Sequence, residues 1–155
     1  MLYLDHAATS PVRPEALEAM LPYLTERYGN PSSHHTVGEA AAAALADARA
    51  KVAAVLGVRT NEVVFTSGGT EADNLAIKGL AIGAALRRDS RRSRDSPVHV
   101  ITTPIEHEAV LASCDYLERV HGFDITLVPV DDTGAIDPAD VAAAIRPETA
   151  VVSIG

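Results

Sequence analysis

Tryptophan is missing from this sequence, cysteine occurs once, and lysine occurs only at Lys51 and Lys78. No apolar run approaches the roughly 20 residues that a membrane-spanning helix needs. Each shortage excludes something. A lone cysteine, Cys114, closes no internal disulfide. No secretory apolar segment and no basic, amphipathic transit segment precedes YLDHAATSP, so the expected compartment is the cytosol. Positive charge is also short, with 13 Lys and Arg against 21 Asp and Glu and a net charge of -8. That balance argues against a nucleic-acid backbone or an anionic membrane as partner. The one basic cluster, Arg87, Arg88, Arg91, Arg92 and Arg94, is interleaved with Asp and Ser and has no aromatic on which a base would stack. It reads as a solvated loop.

What is present is a chain of 155 residues, 47% apolar and 22% charged. That suits one compact soluble domain burying roughly two-thirds of its unfolded surface. A helix is expected from Pro14, with Leu17, Met20, Leu21 and Leu24 on one face and Pro22 kinking or interrupting it. A second runs from Glu39 to Leu56 and stops at Gly57, suited to a left-handed C' position. From residue 62 the pattern alternates. The expected elements are strand Val63–Thr66, helix from Thr70 to about Leu86, strand Val98–Thr102, helix from Glu106 to about Val120, strand Ile125–Val130, helix from Pro138 to about Ile145, and strand Ala150–Ile154. Such βα alternation with β-branched strands predicts an α/β fold, a mostly parallel sheet flanked by helices. Ligands of such sheets collect at the carboxyl ends of the strands, which selects the loops SGGT and TPIEH. The closing run TAVVSIG resembles a central strand, so the sequence is expected to be the front portion of a longer protein.

Two readings of SGGTEADN stand on the residues alone. In one, Thr70 caps a helix with Asp73 three residues on, and the glycines only make the turn. In the other, Gly69 and Thr70 open an anion site at a helix N-terminus, where unpaired N–H groups and the macrodipole favour negative charge. Neither the P-loop pattern nor GxGxxG is present. His107, at a helix start on the same edge, reads by position as a surface or capping residue, although an imidazole there can also stack or exchange a proton. EHE lacks the HExxH spacing of a zinc helix. Cys114, with Val110, Leu111 and Leu117 at helical spacing, reads as a small buried hydrophobe. His34 and His35 follow a proline turn and suit turn chemistry and a cap; Asp5 and His6 carry no signal by spacing.

Four ordered segments, YLDHAATSPV (3–12), YGNPSSHHTVGEAA (28–41), VVFTSGGTEADNLAIKG (63–79) and ITTPIEHEAVL (101–111), together resemble the cysteine desulfurase family of the NifS and IscS type. These are class V aminotransferase-fold enzymes that use pyridoxal 5'-phosphate. The resemblance implies the N-terminal part of a fold type I large domain, with 1–60 as a helical arm and 61–155 as βαβ units. It implies that Gly69 and Thr70 bind the cofactor's phosphate and that His107, as a catalytic residue, stacks on its ring and assists proton transfer. It further implies conversion of L-cysteine to L-alanine, with sulfur passing as an enzyme persulfide to an iron–sulfur assembly or thiolation partner, and a homodimer. Neither Lys51 nor Lys78 matches the family's cofactor-holding lysine. That residue, the substrate-binding arginine, the persulfide cysteine, the rest of the domain and the small C-terminal domain would all fall beyond Gly155. The same scaffold also hosts selenocysteine lyases and other class V enzymes, and without the lysine a noncatalytic phosphate-binding fragment is a further alternative.

Overall fold

The structure, a computed structural model, describes residues 2–87 and 96–155. Of the basic cluster only Arg87 is among them, closing a helix; Arg88, Arg91, Arg92 and Arg94 lie outside the described residues. The chain divides into two units, Met1–Val64 and Phe65–Gly155.

In the first unit, α1 spans Pro14–Thr25 and α2 spans Thr36–Leu56, followed by a short 3-10 turn at Thr60–Glu62. Of the kink or interruption expected at Pro22, the interruption does not occur, and α1 runs through it to Thr25. A proline removes one N–H near the helix end, and its carbonyl still accepts from the N–H groups of Glu26 and Arg27. Helix α2 starts three residues earlier than Glu39, because His35 supplies the cap: its Nδ1 accepts from the Gly38 N–H at 3.3 Å. The preceding turn folds tightly onto this start. A Cβ on Gly38 would lie 2.3 Å from the Ser33 carbonyl oxygen, so only glycine fits there. At the other end Gly57 adopts φ 68° and closes the helix with a left-handed cap, as expected.

The second unit holds a three-stranded sheet in the order β2-β1-β3, with β1 His99–Thr102, β2 Asp124–Leu127 and β3 Thr149–Val152. Both pairings are parallel. Helices α3 (Gly69–Arg87), α4 (Glu108–His121) and α5 (Pro138–Ala144) complete it. The predicted alternation is therefore present from α3 onward. The predicted strand Val63–Thr66 is not: the segment is extended but joins no ladder among the described residues. An apolar, β-branched run becomes a strand only where a neighbouring backbone takes its N–H and C=O groups, and Val64 remains 65% exposed. Strand β2 stops before its predicted end at Val130, Pro129 having no N–H for a ladder.

One core joins the layers. Val98, Val100 and Val151 of the sheet region pack with Ile77 and Ala81 of α3 and with Val110, Cys114 and Leu117 of α4. Burying each of the larger side chains stabilises the fold by about 1.5–3 kcal/mol. The apolar stripe of α4 recurs at helical spacing, and Gly122, at φ 66°, ends that helix. His99 crosslinks the sheet: one ring nitrogen is hydrogen-bonded to Thr149 Oγ1 and the other to Thr126 Oγ1, each at 2.8 Å. Connectivity fixes where a ligand crevice forms. From β1 the chain passes through α4 to β2 on one side, then through α5 back across to β3 on the other. The connections diverge between β1 and β3, and their carboxyl ends frame the crevice at which open α/β sheets bind ligands.

Candidate active site

Thr66, Ser67 and Gly68 form a turn tied down at both ends. Thr66 Oγ1 donates to the Gly68 carbonyl (3.1 Å), while Glu71 Oε2 accepts from both the Ser67 N–H (2.7 Å) and the Ser67 hydroxyl (2.6 Å). These bonds to Ser67 hold the Glu71 carboxyl below its ordinary pKa. The reciprocal cap expected between Thr70 and Asp73 is replaced by this pair one turn earlier. Helix α3 begins at Gly69, and its first i to i-4 bond runs from the Ala72 N–H to Gly68 O at 3.1 Å. The N–H groups of Gly69, Thr70 and Glu71 therefore precede the intrahelical ladder and face outward along the axis.

The two glycines admit a direct test. Neither Gly68 nor Gly69 has a positive φ, and a Cβ on either would meet nothing within 4 Å. Neither backbone conformation nor internal crowding demands glycine there, in contrast to Gly38 and Gly57. Bare backbone facing open space is what the close approach of an outside group requires. With three amides ahead of the intrahelical ladder, unbonded among the described residues, and the positive end of the α3 dipole, the turn fits a phosphate.

His107 is the N-cap of α4, and its Nδ1 accepts from the Ala109 N–H at 3.1 Å. The capping reading is realised, and it has a chemical consequence. With Nδ1 occupied as an acceptor, the neutral ring carries its proton on Nε2, and the ring itself is exposed. Helix α4 starts at Glu108, two residues later than expected, because Glu106 has other work. Its Oε1 accepts from the Thr103 hydroxyl (3.3 Å) and from the Gly155 N–H (2.8 Å). Sequence reasoning gave Glu106 no role beyond that of a helix start.

Helices α3 and α4 pack together, and Lys78, midway along α3, sits 4.6 Å above the Tyr116 ring, midway along α4. Helix α3 precedes β1 and α4 follows it, and in parallel α/β units that connectivity assigns SGGT and His107 to the carboxyl edge of the strands. Lys78 also bonds Asn74, and Lys51 pairs with Asp47 in the first unit. Cys114 is 3% exposed, and burial raises its thiol pKa to about 11, so it is a packing residue as the helical spacing implied. Thr102 Oγ1, at the end of β1, is buried without a partner among the described residues.

The model for the aminotransferase class-V family matches residues 2–155. This chain belongs to that family. It is 45% identical over 153 residues to the cysteine desulfurase IscS of Dictyoglomus turgidum, covering 99% of the chain and 36% of that protein. A human cysteine desulfurase is 46% identical over 154 residues, with 99% and 32% covered. Among solved structures, a NifS-like protein superposes with a TM-score of 0.83 at 39% identity, covering 97% of this chain and 38% of the other. One described as SspA in complex with cysteine gives 0.82 at 40% identity, covering 98% and 41%. The chain thus spans about a third of the length of the curated relatives it matches. The fold is that of the N-terminal part of fold type I enzymes, and the family is one of pyridoxal-phosphate enzymes. Among the described residues no helix is long and apolar enough to cross a membrane.

Proposed function

We propose that this chain is the front part of a pyridoxal 5'-phosphate-dependent cysteine desulfurase. Residues 1–60 would form its helical arm and 61–155 the first βαβ units of the cofactor domain, with the remainder supplied by sequence beyond Gly155. The observation that carries the reading is the bare turn at Gly68 and Gly69, whose glycines the fold itself does not require. The relatives named cysteine desulfurase support L-cysteine as substrate and L-alanine as product. A second copy of the protein and a sulfur-accepting protein in the cytosol complete the proposal.

The amides of Gly69 and Thr70, with the Thr70 hydroxyl, hold the phosphate at the positive end of α3. His107, its exposed ring oriented by the Ala109 N–H at Nδ1, would hold the cofactor's ring. Its Nε2 is then the atom that holds or passes a proton. When bound, the cofactor supplies an electron sink for negative charge at the substrate's α-carbon. The persulfide-forming thiolate is not Cys114, whose thiol is buried and hard to ionise.

The full-length protein tests this directly. It is expected to bind the cofactor with visible absorption and to release alanine and sulfide from L-cysteine in equal amounts when a reductant is present. Cofactor binding without alanine formation would sink the desulfurase reading, and no binding at all would sink the site.

A further inference from the structure

We infer that Glu106 is a positioning residue for His107, clasping the loop after β1 to the loop after β3 across the crevice where the sheet's connections diverge. The inference rests on the cofactor reading above and names a residue that reading does not use. Four observations converge on it. Thr103, fully buried at the end of β1, donates its hydroxyl to Glu106 Oε1 at 3.3 Å. The same oxygen accepts from the Gly155 N–H at 2.8 Å, a contact between residues far apart in sequence. The Ser153 N–H, donating to Ile101 O at 2.9 Å, brings the end of β3 alongside β1 and so within the carboxylate's reach. A Cβ on Gly155 would lie 3.1 Å from Glu106 Oε2, so the backbone approaches this side chain closely.

The consequence follows from chain geometry. Glu106 is bonded covalently to His107, whose ring is fixed at its other side by the Ala109 N–H. The loop that aims the imidazole is thereby pinned at one end to α4 and at the other to the ends of β1 and β3. Lose the clasp and residues 104 to 107 keep their covalent ends at Thr103 and α4 but lose their tie to the end of β3. A carboxylate suits this post because it accepts two hydrogen bonds on one oxygen. The reach is specific, since aspartate keeps the charge but is one methylene shorter.

The test uses the full-length holoenzyme with Glu106→Ala, Glu106→Asp, Glu106→Gln and His107→Ala. Two readouts are taken: hydrogen exchange of the Gly155 amide in the apo form, and the visible circular dichroism of the bound cofactor, which reports ring asymmetry rather than stability. Glu106→Ala and Glu106→Asp are expected to speed Gly155 exchange roughly threefold to tenfold, the equivalent of one lost hydrogen bond. They should also reduce the dichroic band in the direction His107→Ala does, while Glu106→Gln, still an acceptor of the same length, restores both. Unchanged Gly155 exchange in Glu106→Ala overturns the clasp. A full dichroic band in Glu106→Ala, with the band lost in His107→Ala, overturns the positioning role while leaving the cofactor reading intact. An unchanged band in His107→Ala removes the role given to His107 and this inference together, while cofactor binding at the Gly68–Gly69 turn stands or falls separately on the binding test above.

Discussion

Gly69→Ala separates a folding role for the SGGT turn from a binding role, because the two predict changes of opposite sign. The added Cβ meets no protein atom within 4 Å, and the φ of Gly69 is not positive. Alanine at an unstrained position restricts the unfolded chain, so the variant should gain about 0.4–1 kcal/mol in stability. In a protein a few hundred residues long that corresponds to a rise in melting temperature of about 2–4 °C per kcal/mol. The same methyl group stands between the Gly69 and Thr70 amides and whatever approaches them. A hydrogen bond to a charged partner is worth about 1.5–3 kcal/mol, so losing one should weaken cofactor affinity by roughly tenfold to a hundredfold. Calorimetry of the apo full-length protein and a fluorescence titration with pyridoxal phosphate measure both quantities on one preparation. Higher stability with unchanged affinity would place the phosphate elsewhere. Lower stability would mean that the glycine is needed for folding, and the argument from open space would fail.

Cys114→Ala should retain desulfurase turnover, and the native thiol should react with a disulfide reagent at pH 8 about a hundredfold more slowly than an unfolded control; loss of sulfur transfer in the alanine variant would contradict its role as a packing residue. Burial lowers the pKa of His99, so the folded protein keeps the ring neutral while the unfolded chain takes up a proton below about pH 6.5. The stability that His99 contributes is present above that pH and is lost as pH falls beneath it. Urea unfolding between about pH 8 and 5 should therefore show a steeper acid-side decline in the parent than in His99→Gln, and parallel curves would refute it. Leu117, fully buried against both α3 and the sheet, should cost about 2–5 kcal/mol when cut to alanine, read as a fall in the urea midpoint.

The order of helices and strands from α3 onward was legible because short β-branched apolar runs and period-3.6 apolar stripes are local consequences of which faces are buried. Gly57 was legible for a similar reason: a left-handed cap is a one-residue requirement. Boundaries moved where a side chain competed for the helix start. His35 and His107 both became caps, and the helices they open begin three residues earlier and two residues later than the pattern alone places them.

By itself the sequence determined the chemistry on offer: a glycine turn before a helix, a histidine at the start of another, and a cysteine set among apolar neighbours. Those properties travel with residue type and spacing. Only the tertiary structure decided that Val63–Thr66 finds no ladder among the described residues, that Gly68 and Gly69 face open space, and that Glu106 reaches Gly155. Each depends on what lies opposite a residue in space, and a parallel sheet sets that by bringing together segments distant in the chain.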